Sequence, residues 1–216
     1  MKSSKRHQRR LLLNRLFEWI FFSTIVIAML VLGSLLFDIF SRGISGLDWS
    51  FITSMPSSRP TKAGILPALL GTLWVIILTA LIALPVGIGT AIYLEEYANK
   101  KSWFFKVLNL NIANLAGVPA IVYGILGLTV FVQLLKFGPT ILAGALTLSL
   151  LILPVIIVAS IEAIRAVPNS IREGSLALGV TRWQTITGAI LPMAMPGILT
   201  GSILALSRAM GEAAPL

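Results

Sequence analysis

The sequence predicts an all-α, polytopic transmembrane helical bundle, and three observations predict it. Hydrophobic residues make up 56% of the 216 positions, charged residues only 12%, and the mean hydropathy is +0.93, a balance found in membrane proteins and not in soluble domains. The charges cluster in short segments between long charge-free runs. The net charge of +9 follows from membrane orientation: six of the seventeen Lys and Arg lie within the first fifteen residues, and no basic surface interleaved with aromatics suggests nucleic acid.

Several chemistries are excluded. Without cysteine there is no disulfide, thiolate metal site or cysteine nucleophile, and the lone histidine, His7, lies in the basic segment without partners for metal or triad chemistry. No Gly-x4-Gly-Lys-Ser/Thr phosphate loop occurs, so the chain is not expected to hydrolyse ATP itself. The reading calls for no catalytic residue, no metal and no cofactor.

Residues 1–16 read as a basic cytoplasmic tail and 17–216 as the transmembrane domain. The apolar run Trp19–Phe37 is longer than a signal-peptide core and lacks an Ala-x-Ala-like cleavage site, so it is expected to remain as the first span. Asp38 to about Gly64, rich in Ser, Pro and Gly, forms the longest polar connection and is placed outside. A second span is expected over Ala68–Leu94, with Pro85, Gly87 and Gly89 inside it. Glu95 to about Asn111 returns to the cytoplasm, with Trp103, Phe104 and Phe105 suited to an interfacial helix.

The charge-free stretch Val107–Leu135 reads as a third span, kinked at Gly117-Val118-Pro119, and Gly124 with Gly127 suggests a close helix contact. Lys136–Thr140 makes an outer turn. The fourth span is expected over Ile141–Ile161 with Pro154 inside it, and the fifth from Ile190 onward, where Gly197 and Gly201 form a Gly-x3-Gly pair. Under this topology twelve basic residues lie inside and four outside, which puts the N-terminus in the cytoplasm.

Between the last two spans, residues 162–189 form a mostly polar cytoplasmic interlude. Ser170 with Glu173, and Thr181 with Gln184, have capping-box spacing, and Gly179 stands between them where a helix-ending residue of positive φ is expected. The interlude therefore describes a short helix, a corner at Gly179, and a second helix running through Leu191-Pro192 into the fifth span. Arg208, the seventeenth basic residue, lies sixteen residues past Pro192, about 24 Å along a helix. A charge there costs ~2.5–3.5 kcal/mol if it faces lipid, so it is expected to face a partner charge or a polar path, with Glu212 one turn on. It would offer an anion a planar donor fork, with Glu212 holding the guanidinium ready; an internal ion pair that only neutralises both charges is the plainer alternative.

Glu173, Gly179, Leu191 and Pro192 fall at the spacing of the Glu-Ala-Ala loop of bacterial ABC importer permeases, although Gly174 and Ser175 replace the alanines and Ala189 the isoleucine. The segments Leu84–Ala98, Gly117-Val118-Pro119 and Ser207–Leu216 resemble the phosphate permeases of that family. The resemblance implies a non-enzymatic permease subunit in the bacterial inner membrane, coupled through Glu173, Gly179, Leu191 and Pro192, with Arg208 and Glu212 on the path of inorganic phosphate. It implies as partners a homologous permease, ATP-binding subunits, an extracytoplasmic phosphate-binding protein and membrane lipid. The family has six spans, so a final helix is expected to be missing from a chain that stops at Leu216.

Alternatives stay open. The paralogous permease of the same complex shares the Arg-Ala-x-Gly-Glu pattern, and a sulfate or molybdate permease would use a similar fork. A gradient-driven secondary transporter would show an inverted repeat, and none is visible. A membrane scaffold gives no reason for Arg208.

Overall fold

The computed structural model describes residues 3–59 and 62–212, without the side chains of residues 3–9 and Leu12. The regular elements among them are all helical. The chain divides into two compact units, Met1–Pro67 and Ala68–Leu216.

In the first unit, α1 (Ser3–Gly43) carries the described part of the basic segment and the first apolar run on one uninterrupted helix. Arg42 in its last turn pairs with Asp38 at 2.8 Å, a cation placed where the helix dipole favours one. A 3₁₀ turn (Ile44–Gly46) and α2 (Trp49–Thr53) follow. The connection then folds back: Gly64 and Ile65 donate their N–H groups to the carbonyls of Met55 and Phe51 at 3.1 and 3.0 Å. A Cβ on Gly64 would collide with the Ser54 carbonyl, so this close approach requires glycine.

The second unit contains α3 (Leu66–Ile92, which starts at the boundary) and its π-helical end Tyr93–Tyr97, α4 (Trp103–Leu115), and α5 (Ala120–Gly127) with its π-helical extension Leu128–Leu134. It continues with α6 (Ile141–Arg165), α7 (Asn169–Ala177), α8 (Arg182–Thr185), a π-turn Ile186–Ile190, and α9 (Leu191–Gly211). The hub is α6, which buries thirteen of its residues while its neighbours bury one face or less. In lipid, apolar surface gains nothing by leaving its solvent, so helices associate through close packing and hydrogen bonds.

Small residues make that packing possible. Gly87 of α3 sits where a Cβ would lie 2.6 Å from the Ile156 side chain, and Gly127 of α5 faces Thr147 with no room for one. Gly197 and Gly201 of α9 receive Ala163 and Ala159 of α6, where added Cβ atoms would lie 2.8 and 2.5 Å from the alanine methyls. The Ser149 hydroxyl donates to the Ala145 carbonyl at 2.6 Å and lies 3.4 Å from the Thr79 carbonyl, and the Thr79 hydroxyl donates to the Ala145 carbonyl at 3.3 Å. These bonds stitch α3 to α6.

The third segment is broken more sharply than the expected kink. Val107–Leu135 is divided between α4 and α5 with its extension, and their axes turn by 103°. Pro119 disfavours helical backbone at Val118 and is itself extended at ψ 138°, so the helix ends and restarts instead of kinking. The Tyr123 hydroxyl donates to the Leu115 carbonyl at 2.9 Å and pins the corner. Four described helical segments are therefore long and apolar enough to cross a membrane, and a fifth exists only if this bent pair counts as one span.

The α6–α9 seam yields a test. Gly201→Ala should destabilise the protein by about 1–3 kcal/mol through overpacking, seen as a lower unfolding temperature in detergent, and adding Ala159→Gly should recover part of the loss. No loss in the single variant would show that the seam is not closely packed.

Candidate coupling elbow and anion site

The polar interlude forms two short helices meeting at Gly179. Its φ is +75°, Val180 N–H reaches the Ser175 carbonyl at 3.3 Å, and Gly179 N–H reaches that of Leu176 at 3.0 Å. That pair of bonds is a Schellman ending, which places glycine in the left-handed position at lowest cost. The predicted Thr181–Gln184 capping box is present with both reciprocal bonds.

The other predicted box is not. α7 begins one residue before Ser170, with Pro168 at the cap position and no side-chain cap, so Ser170 and Glu173 lie inside the helix. The restricted φ of Pro168 and the favourable helical start after it move the boundary. Glu173 is exposed on α7 and forms no ion pair among the described residues. Leu178 and Trp183 are 84% and 62% exposed, so the elbow presents apolar side chains beside an acid.

From the elbow the chain runs without a break into α9. Leu191 N–H bonds the Ile186 carbonyl, one residue further back than in an α-helix, and Pro192 has no N–H to donate. The widened turn absorbs the proline within a continuous helix. Leu191 packs partly against a buried cluster that includes Leu94, Ile161, Ile164 and Ile190, while Pro192 is exposed. The whole segment Arg182–Gly211 has 30 residues; at ~1.5 Å per residue it is about 45 Å long, so roughly a third stands outside a ~30 Å hydrocarbon core.

Arg208 and Glu212 lie at the far end of α9, remote from the elbow. Arg208 flanks the buried stripe Ala194, Ile198, Ser202, Ala205 and Ala209 that faces α6. Its Nε approaches Glu212 Oε1 at a long 3.4 Å, and its side chain is half exposed. Most of the donor fork is therefore uncommitted within the described residues, and Glu212 orients it loosely. Ala213–Leu216, the rest of that motif, lie outside the described residues.

Residues that sequence reasoning missed hold the elbow in place. Arg172 of α7 donates from Nε and Nη2 to Glu96 Oε1 at 3.0 Å each, from Nη2 to the Ile164 carbonyl at 2.8 Å, and from Nη1 to the Val167 carbonyl at 2.7 Å and Asn169 Oδ1 at 3.1 Å. Beside it, Glu95 joins Lys100 and, at 3.2 Å, Arg165, which also pairs with Glu162 at 3.0 Å. Glu96 precedes Arg172 by 76 residues. The only hint in the sequence is an acidic pair closing an apolar run.

Four described helical segments long and apolar enough to cross a membrane make this a multi-pass membrane protein. Residues 83–216 match the family described as binding-protein-dependent transport system inner membrane components. The chain belongs to that family of ABC importer permeases, and is a multi-pass inner-membrane protein. It is 40% identical over 86% of its length to the probable ABC transporter permease protein YqgI of Bacillus subtilis, and spans 64% of that protein, less than two thirds. It is 36% identical over 96% of its length to phosphate transport system permease protein PstA 1 of Mycobacterium tuberculosis, covering 69% of it. The fold is shared with the MetNI methionine ABC transporter in an inward-facing conformation, at a TM-score of 0.56 and 20% identity over 68% of each chain.

The corner makes a local prediction. Gly179→Ala puts a Cβ into the left-handed region at a cost of about 1–2 kcal/mol, and should speed amide hydrogen exchange at Val180. Unchanged exchange there would mean that Gly179 does not hold the corner.

Proposed function

We propose that this chain is a permease subunit of an ATP-driven importer of inorganic phosphate. The observation that carries the reading is the exposed elbow continuous with the helix that bears Arg208. A push on α7 has a covalent route, through the Gly179 corner and the Leu191-Pro192 turn, to a helix holding a donor fork. Glu173, Gly179, Leu191 and Pro192 form the coupling set, and the exposed Leu178 and Trp183 beside Glu173 offer an ATP-binding subunit apolar contact and one charge.

The fork chemistry favours a tetrahedral oxyanion. Guanidinium is planar, permanently charged and able to donate two parallel bonds, and Arg208 within an apolar helix needs a polar counterpart. Glu212 balances the empty path. Phosphate is the preferred anion because relatives named as phosphate permeases align over nearly the whole chain. The remaining partners are a homologous permease completing the path and an extracytoplasmic phosphate-binding protein. The charge asymmetry supports a cytoplasmic N-terminus.

Vesicles holding the assembled importer test this directly. ATP should drive uptake of phosphate and not of sulfate, and Arg208→Gln should lower phosphate uptake at least a hundredfold while the complex still assembles. Sulfate uptake would reassign the anion, and normal uptake by the Arg208 variant would remove the fork from the path. Glu173→Ala should leave ATP hydrolysis running while uptake falls; uptake in step with hydrolysis would take Glu173 out of the coupling set.

A further inference from the structure

We infer that Arg172 is the positioning residue that delivers motion of α7 to α3 and α6, a role distinct from the covalent route into α9; the inference rests on the importer reading above. A guanidinium has five N–H donors, and Arg172 makes five hydrogen bonds. Two go to one carboxylate oxygen of Glu96, at the end of α3. Two more go to the carbonyls of Ile164 and Val167, at the end of α6, where the Ile164 carbonyl also accepts from Val167 N–H at 3.2 Å. The fifth goes to Asn169 in the first turn of α7 and sets the side chain's course.

The site is shielded, with the Arg172 and Glu96 side chains only 18% and 12% exposed. Directly beneath lie Leu94, Ile164 and Val167 of the buried cluster against which Ile171 packs. One side chain thus ties three elements to one rigid point. By contrast, the chain on either side of α7 turns at Pro168 and at the left-handed Gly179, so covalent continuity alone is a weak transmitter. Displacing α7 without displacing the inner ends of α3 and α6 would strip Glu96 and the Val167 carbonyl of their Arg172 donors at once and leave Ile164 only its backbone donors, which in a shielded site is costly.

Lysine cannot replace this arrangement. Its single ammonium has three donors at one point and cannot span a carboxylate and two separate carbonyls. Glu96→Gln is the complementary change, because it removes the charge pair but leaves both carbonyl bonds that hold α7 to α6.

The test measures phosphate uptake and ATP hydrolysis in the same vesicles, with the complete importer reconstituted from this chain, its partner permease, its ATPase subunits and its binding protein. Arg172→Lys and Glu96→Gln should each keep at least half of the phosphate-stimulated hydrolysis, while phosphate moved per ATP falls tenfold or more. A contact needed only for folding would lower both activities in proportion and leave the ratio alone. A ratio within twofold of the unsubstituted importer in both variants, or loss of both activities in step, overturns the role of Arg172. Absence of ATP-driven uptake in the unsubstituted importer instead overturns the importer reading itself.

Discussion

The close approach of α9 to α6 is the constraint on which the rest of the second unit depends. Apolar side chains are as well solvated by lipid tails as by each other, so contact area alone cannot hold these helices together. What holds them is proximity: Ala159 against Gly201 and Ala163 against Gly197, one helical turn apart along each helix, bring the backbones close enough for dense dispersion contact. The seam works against two polar groups. The hydroxyls of Ser160 and Ser202 are buried without a hydrogen-bond partner among the described residues, at a cost of about 1–3 kcal/mol each. Packing must outweigh that cost, and glycine at both contact points is what allows it.

Once α9 lies on α6, the remaining geometry follows. The buried stripe of α9 faces the hub, which turns Arg208 to the flank and leaves its donor fork accessible. The end of α6 that carries Arg165 stands beside the end of α3, so that Glu95 meets Arg165 and Glu96 meets Arg172 of α7. These carboxylates close an apolar helix at the level where it would emerge from lipid. Two acids without partners there would repel each other across one backbone step, and each has recruited its own guanidinium from a different element.

Features written into short spacing were legible in the sequence. Gly179 with positive φ, the Thr181–Gln184 box and the glycines of the α6–α9 seam all depend on residues within four positions of each other, or on one residue's backbone preference. The third segment was half legible. Pro119 signalled a break, but whether a proline bends a helix or ends it depends on whether neighbours can serve the freed backbone groups, and here Tyr123 serves Leu115 from beyond the corner. The Ser170–Glu173 spacing misled because a capping box is defined by where the helix begins, and Pro168 moved that point. The Arg172–Glu96 contact was illegible: its partners are brought together only by the fold.

The stiffness of the elbow has a source other than the continuity of its helix. The stretch from α8 into α9 contains a widened π-turn, a proline at position 192 that donates no hydrogen bond and another at 196, each of which softens a helix against bending. Buried charge-assisted bonds have strict geometry and resist displacement in every direction. The five bonds of Arg172 fasten α7 to the ends of α3 and α6, whereas the stretch that enters α9 carries a widened turn and two prolines.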